Sequence, residues 1–275
     1  MIHWILESNL KDEPYLKLIS VLEKNKIPYT MVKVVPYANI LLSTDFDTFN
    51  KEPTEEDDIK INERLIFPFG TMSLSSVAVK RKWKPGSLFN DQFTFEKWSK
   101  GFGLKNLLNH DSKIMKVSEP IEGFKDDIFF IRPCEDDKAF SGKVINKKDF
   151  LDWQESIIKI DDSRSKLNKN TLITIATKKE IYKEARMFVF NGKVVTGSYY
   201  KFNDEVSYKE VLDGDPIIEY TKNIILNYQP AKAFVIDIAL TDKGYKIIEI
   251  NNINSVGLYN SNIDKFVEAI TNTFG

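Results

Sequence analysis

Residues 234–254 are the part of the chain that most restricts its fold. The runs 234–240 and 245–251 are apolar and rich in β-branched residues, and a glycine-containing break separates them, which predicts a β-hairpin. A three-residue loop, 242–244, with glycine in the left-handed position places Asp237 opposite Glu249. Facing carboxylates about 5 Å apart repel each other by roughly 3 kcal/mol at an effective dielectric of about 20. A positive group is therefore expected between them.

Two simpler interpretations of this hairpin remain open. It can be a surface hairpin with a polar face, or a four-residue loop can send the two carboxylates to opposite faces. The surrounding isoleucines indicate a core, where an unpaired carboxylate is costly. Asn251 follows Glu249 on the same face, and oxygen ligands of this kind suit Mg²⁺ bound together with nucleotide phosphates.

This arrangement resembles the metal-binding signature of ATP-grasp enzymes, in which an Asp in an apolar strand precedes Glu-x-Asn at the end of the next strand. The resemblance implies that Asp237, Glu249 and Asn251 bind Mg²⁺.

A second segment, residues 126–145, strengthens the resemblance. Residues 128–131 predict a buried strand that ends at Pro133, because proline cannot donate to a ladder. Arg132 therefore lies at the end of the predicted strand, and Lys138 lies in the polar loop that follows. An arginine at this position resembles a clade, frequent in tailed phages, that is named for two arginines and a lysine. In the alternative, Arg132 caps a strand and Lys138 balances neighbouring aspartates.

A third segment, residues 171–201, contains Asn-Gly at 191–192 between apolar runs, which predicts a hairpin with a type I′ turn. An unbroken register pairs Arg186 with Gly197 and Glu184 with Tyr199, which leaves room for a ligand above the arginine. The alternative is a surface arginine paired with Glu184.

The resemblance also assigns roles along the chain. It implies that main-chain groups of residues 174–177, with Thr174 and Ala176 as contacts, read adenine, and that Glu184 and Arg186 reach the phosphates. Arg132, Arg186 and Lys138 become the two arginines and the lysine, and are the expected catalytic residues. The loop 134–142 is expected to close over ATP as a lid.

The composition fits such an enzyme. The chain has 275 residues and a net charge of -1, so there is no electrostatic case for nucleic acid, although residues 80–84 form a short basic run around Trp83. A single cysteine, two histidines and no apolar run near 18 residues argue against disulfides, zinc sites and membrane segments. We expect a cytoplasmic protein, in the host cytoplasm if phage-encoded.

The expected fold is α/β. Strand, helix and strand at residues 2–6, 14–23 and 29–35 open the chain, and further helices are predicted at 150–160 and 263–274. The resemblance implies a small Rossmann-like N-terminal domain, residues 1–108, before an ATP-grasp domain, 109–275, whose two α+β subdomains hold ATP between them.

The function implied is an ADP-forming ligase that joins a carboxylate to an amine through an acyl phosphate, with small-molecule, peptide or protein substrates. The alternatives are a kinase on the same scaffold and a non-catalytic nucleotide-binding phage interaction protein. Asp237→Asn and Glu249→Gln are expected to weaken Mg²⁺ATP binding, with a gain in stability without metal because the repulsion is relieved.

Overall fold

A computed structural model describes residues 1–36, 38–122, 127–134, 139–160, 165–203 and 205–275. The helices are α1 (Glu13–Lys24), α2 (Met72–Lys80), α3 (Phe95–Phe102), α4 (Lys147–Ile160), α5 (Pro216–Ile225) and α6 (Ile263–Phe274). The strands are β1 (His3–Glu7), β2 (Tyr29–Val35), β3 (Ile40–Leu42), β4 (Ile66–Phe69), β5 (Lys113–Lys116), β6 (Ile128–Pro133), β7 (Lys143–Asn146), β8 (Leu172–Thr177), β9 (Lys183–Phe190), β10 (Lys193–Phe202), β11 (Glu205–Glu210), β12 (Ala233–Thr241) and β13 (Gly244–Asn252). None of the described helices is both long and apolar enough to span a membrane.

The first sheet confirms the predicted β-α-β opening. Its strand order is β3-β2-β1-β4, with β1 parallel to both β2 and β4 and β3 antiparallel at the edge. Helix α2 begins behind Thr71, whose hydroxyl accepts a hydrogen bond from Ser73 N. Such a cap satisfies one of the main-chain donors that every helix start leaves without an intrahelical partner.

Phe266 of α6 joins the first sheet to the second. Its ring lies 6.1 Å from that of Trp4 and 5.6 Å from that of Phe69, both in the first sheet. The rings of Phe188 and Phe190 in β9 lie 5.4 Å and 5.9 Å away on the other side. These aromatic contacts, mostly edge to face, belong to one buried apolar cluster that includes α1 and α6.

The second sheet has the order β11-β10-β9-β12-β13 and contains both predicted hairpins. The turn at Asn191 and Gly192 has φ values of 47° and 71°, as a type I′ turn requires, and Phe190 pairs with Lys193. In the other hairpin Gly244 has the predicted left-handed φ of 82°, but it begins β13, so only two residues separate the strands.

The register predicted for Arg186 is wrong. A bulge between Val194 and Thr196 adds one residue to β10, so Arg186 pairs with Ser198 and not with Gly197. A bulge places two residues opposite one, which shifts every later pair along the ladder.

The register predicted for Glu184 is wrong for the same reason. A second irregularity between Tyr199 and Lys201 leaves Tyr200 as the extra residue, and Glu184 pairs with Lys201 instead of Tyr199. The same irregularity appears in the pairing of β10 with β11.

The third sheet is antiparallel, with the order β5-β8-β6-β7. Phe129 and Ile131 of β6 are buried against Phe150 of α4, whereas Ile128 is 48% exposed, so the strand has one buried face. Ile160, the last residue of α4, is 72% exposed. Lys138 and residues 135–137 of the predicted lid lie outside the described residues.

Contacts divide the chain into two compact units. One comprises Met1–Asn90, Lys183–Ile238 and Glu249–Gly275, and the other comprises Asp91–Tyr182 and Ala239–Ile248. The division into 1–108 and 109–275 stays a prediction, since units defined by contacts need not coincide with family domains.

Candidate active site

A buried ion pair between β9 and β12 is the central feature of the first unit. Arg186 donates from Nε to Asp237 Oδ1 over 2.9 Å and from Nη2 to Oδ2 over 2.8 Å. Arg186 is 8% exposed and Asp237 is 2% exposed. Arg186 therefore supplies a positive charge beside Asp237, and the interpretation of Arg186 as a surface residue paired with Glu184 is wrong.

Electrostatics bind these two side chains together. Burial raises the pKa of the Asp237 carboxyl, Arg186 opposes that rise, and the carboxylates of Glu249 and Glu184 add to it. Burial alone would lower the pKa of Arg186, but the adjacent Asp237 more than compensates and raises it. Because two charge-assisted hydrogen bonds join the groups, we assign the pair as ionised at neutral pH.

Two tyrosines enclose the guanidinium of Arg186. Its Cζ lies 4.9 Å from the ring centre of Tyr259 and 5.9 Å from that of Tyr200, and the two rings stack 5.1 Å apart. Arg186 Nη1 also donates to Gly257 O over 3.3 Å. Tyr259 has a φ of 50°, a left-handed conformation that is uncommon for a bulky side chain. The segment after β13 thus wraps the arginine.

Glu184 is held in place by β10. Tyr200 donates its hydroxyl to Glu184 Oε2 over 2.8 Å, and Lys201 Nζ lies 3.3 Å from Oε1. Burial raises the pKa of the Tyr200 hydroxyl, and Asp237 and Glu184 raise it further, so this hydroxyl is a donor at neutral pH. The bulge that displaces Tyr200 from the ladder thus supplies the partner of Glu184.

Glu249 and Asn251 form an oxygen-rich pair on β13. Asn251 Nδ2 donates to Glu249 Oε1 over 3.1 Å, so Oδ1 is the atom of Asn251 that can ligate a cation. Each carboxylate oxygen of Asp237 keeps a second lone pair besides the one that Arg186 uses. These donors fit Mg²⁺, which accepts one or two carboxylates together with phosphate oxygens. Within the described ranges, no three His, Cys, Asp or Glu side chains form a metal cluster.

Three other predicted residues belong to the second unit. Arg132 lies in β6, and its Nε donates to Pro133 O over 3.3 Å. Thr174 and Ala176 are fully buried in β8, between β5 and β6. Leu172 O accepts from Cys134 N on the β6 side, and main-chain groups alternate in direction along a strand, so those of Thr174 and Ala176 also point to β6. They are used inside the sheet and are not placed to read a base.

The end of β8 carries a cluster that the sequence prediction missed. Asp111 accepts from Thr177 N over 3.1 Å and from Lys179 Nζ over 2.7 Å. Burial acts to raise the pKa of Asp111, but the hydrogen bonds from Lys179 and Thr177 outweigh it and bring that pKa to about 2. Asp111 thereby fixes the chain where it leaves the sheet. It stands 66 residues before Thr177, so no local sequence signal links the two.

Residues that enclose Arg186 were also missed. Tyr200 was hidden because a bulge cannot be read from strand periodicity. Gly257 and Tyr259 lie in a segment rich in Gly, Asn and Ser directly after the predicted metal ligands, and that composition was the available signal of a functional loop.

Solved structures with this fold include several named ligases. D-alanine–D-alanine ligase from Bacillus anthracis superposes with a TM-score of 0.58 at 13% identity, over 99% of this chain and 96% of that one. The D-cycloserine synthetase DcsG superposes with a TM-score of 0.59 at 7% identity, over 99% of each chain. The ATP-grasp ligase PsnB, complexed with a minimal precursor, superposes with a TM-score of 0.54 at 9% identity, over 98% of each chain. At these identities the likeness concerns the fold alone.

Sequence comparison identifies the family. A search among curated proteins gave no match. A family model for the ATP-grasp domain, family 3 of the clade named for two arginines and a lysine, matches residues 70–270, which is more than half of the chain. The resemblance derived from the hairpins is therefore confirmed, and the chain belongs to this clade of ATP-grasp domains.

Proposed function

We propose that this protein is an ATP-dependent, ADP-forming ligase that joins a carboxylate to an amine. The observation that carries the proposal is the buried Arg186–Asp237 pair, which has the oxygen ligands Glu249 and Asn251 on the same sheet. A fixed cation beside carboxylates that fit Mg²⁺ suits the transfer of a phosphoryl group, which depends on positioning and charge stabilisation. Membership of the ATP-grasp family supports this assignment.

Mg²⁺, when bound, would draw negative charge from the nucleotide phosphates. Glu249 and Asn251 would hold it, and Asp237 would share its carboxylate between the metal and Arg186. This sharing would keep Arg186 oriented toward the phosphates. Arg132 and Lys138 are proposed as further cations for the phosphates.

Arg186 would stabilise the γ-phosphoryl group as it moves. The substrate carboxylate oxygen forms the new bond to phosphorus, and the bond to the ADP oxygen breaks. The nitrogen of the amine then attacks the acyl carbon, phosphate leaves with the bonding electrons, and the amine proton passes to solvent. No side-chain nucleophile is needed, and charge stabilisation by a preorganised cation is the main contribution of the protein.

Adenine is proposed to lie beyond the end of β8, at residues 177–182. Main-chain groups of Thr174 and Ala176 are engaged in the sheet, whereas the chain leaves the sheet after Thr177. The Asp111 cluster holds that exit in one conformation.

Trapping of the acyl phosphate tests the proposal. The protein is incubated with Mg²⁺ATP and pools of amino acids, peptides and small carboxylic acids, with and without hydroxylamine. A ligase should form a hydroxamate of one carboxylate with stoichiometric ADP, and Arg186→Lys should abolish it, because an ammonium cannot replace the two-pronged guanidinium.

Other outcomes distinguish the alternatives. A stable phosphorylated alcohol or phosphoryl ester without hydroxamate indicates a kinase. Binding of Mg²⁺ATP without any turnover, in pools that include a cell extract, indicates a non-catalytic nucleotide-binding protein.

A further inference from the structure

A basic cavity adjoins the start of β4. Its volume is about 470 Å³, and it is lined by residues drawn from 60–66 and 81–84. The charged lining residues are Lys60, Arg64, Arg81, Lys82 and Lys84, with Glu63. Five positive charges and one negative charge give a net of +4, in a chain whose total charge is -1. Positive charge is therefore concentrated at this one concave place.

Main-chain hydrogen bonds hold the two walls of the cavity together. Ile66 N donates to Lys84 O over 2.6 Å, and Gly86 N donates to Ile66 O over 3.0 Å. Arg81 is anchored by donation from Nη1 to Ile59 O over 2.8 Å, and by Asp58. The cavity is consequently a fixed feature of the edge of the first sheet.

Only part of the positive charge is neutralised. Asp58 pairs with both Lys60 and Arg81. Arg64, Lys82 and Lys84 form no ion pair with any residue that the structure describes. Cations gathered in a concave site focus the electric field and raise the local concentration of anions.

The backbone at Lys82 gives an independent indication. Lys82 has a φ of 55°, a left-handed conformation in which a residue with a Cβ is less stable than glycine. A lysine stands here although the conformation favours glycine. Cations near the end of α2 are favoured by the helix dipole, but that effect does not explain Arg64 and Lys84, which lie on other segments.

We propose that this cavity binds a small molecule that carries a phosphate group. The lysines and Arg64 provide several charge-assisted donors, and arginine can bind phosphate through two hydrogen bonds. Ile61, Ile66 and Trp83 add apolar wall for an organic body. The volume lies in the range of small-ligand sites, whereas nucleic acid requires an extended basic stripe. This site is independent of the proposed ligase reaction.

Nuclear magnetic resonance locates the site directly. The full-length ¹⁵N-labelled protein is titrated, without divalent metal, with pyrophosphate and separately with phenyl phosphate. The chain has four tryptophans, and loss of one indole signal in Trp83→Phe assigns the Trp83 resonance. We expect that resonance to shift in a saturable manner with at least one probe. Tighter binding of phenyl phosphate indicates an organic ligand, and tighter binding of pyrophosphate indicates an inorganic polyanion; both support the phosphate class.

Matched variants distinguish phosphate binding in the cavity from a general effect of the protein's positive charge. Lys82→Gly removes one cation and relieves the left-handed strain, so the fold should be at least as stable while the dissociation constant rises about tenfold. Arg64→Ala should have a similar effect on affinity. Lys80→Ala removes the same charge from a residue outside the cavity and should change the dissociation constant by less than about twofold.

Three results would overturn the proposal. They are an unmoved Trp83 resonance at millimolar concentrations of both probes, equal affinity in Lys82→Gly and the unaltered protein, and binding of a DNA or RNA oligonucleotide with no binding of either small phosphate.

Discussion

At the scale of single residues, Arg186 and Asp237 depend on each other. Each is nearly excluded from water, and the cost of desolvating a charge is several kcal/mol unless a partner compensates for it. The expectation that Asp237→Asn relieves repulsion and stabilises the protein is therefore reversed, because the substitution leaves a buried guanidinium without its counter-charge.

We predict that Asp237→Asn lowers the free energy of unfolding by roughly 3 kcal/mol, measured by urea denaturation at pH 7. The matched control is the double variant Arg186→Met with Asp237→Leu, which removes both charges and should recover much of the loss. A single variant as stable as the unaltered protein would mean that the ion pair does not form in solution.

Glu249 tests the metal assignment. Glu249→Gln should weaken Mg²⁺-dependent ATP binding by at least about tenfold, since a neutral amide is a poorer ligand for a hard cation. Calorimetry measures the affinity, and Glu205→Gln on the exposed strand β11 is the control. If the unaltered protein, Glu249→Gln and Glu205→Gln all bind Mg²⁺ATP with equal affinity, Glu249 is not part of the metal site.

At the scale of elements, the two irregularities of β10 decide which side chains reach the site. Each one displaces a residue from the ladder, and the second directs Tyr200 to Glu184 and Arg186. Neither leaves a mark in the alternation of apolar and polar residues, so the hairpin was predictable but its register was not.

Gly197 shows how tightly β9 and β10 pack. A Cβ on Gly197 would lie 2.6 Å from Met187 Sδ and 2.8 Å from Arg186 O, and the second contact is with main chain. We predict that Gly197→Ala costs about 2–3 kcal/mol of stability. Gly214→Ala meets only open space and should cost about 1 kcal/mol, because Gly214 has a φ of 89°. Thermal unfolding of both variants decides; equal losses would contradict the packing argument.

The stability that Asp111 contributes at the end of β8 should depend on pH. The folded pKa of Asp111 is about 2, below its ordinary value of 3.8, so the stability that it contributes is present above pH 3.8 and is lost as the pH falls toward 2. Asp111→Asn should lower stability at pH 7 by about 1 kcal/mol. Denaturation curves should converge with those of the parent near pH 2; a constant difference would contradict the assignment.

At the scale of the whole molecule, local patterns were predictable and partners were not. Strand β2 and helix α6 have the predicted bounds, since each carries a clear periodicity, and α6 has its Asn262 cap as well. The Arg186–Asp237 pair joins residues 51 positions apart and exists because β9 lies beside β12. Tertiary packing determines which strands lie side by side, and the periodicity of one segment carries no information about its neighbours in the sheet.

Binding of nucleotide should stabilise the molecule as a whole. With Mg²⁺ATP at about 100 times its dissociation constant, the folded state gains about 2.7 kcal/mol, which raises Tm by roughly 5–10 °C. Differential scanning fluorimetry measures the shift, and EDTA should remove most of it. A Tm that ATP raises equally with and without metal would argue against the carboxylate site.

The cluster around Phe266 also governs the order in which the chain can fold during synthesis. Trp4 and Phe69 leave the ribosome long before Phe266, the residue that covers them. Contacts between such distant segments form late, and the apolar surface waiting for them is prone to aggregate. The apolar face of the nascent first sheet thus remains uncovered until α6 has been translated.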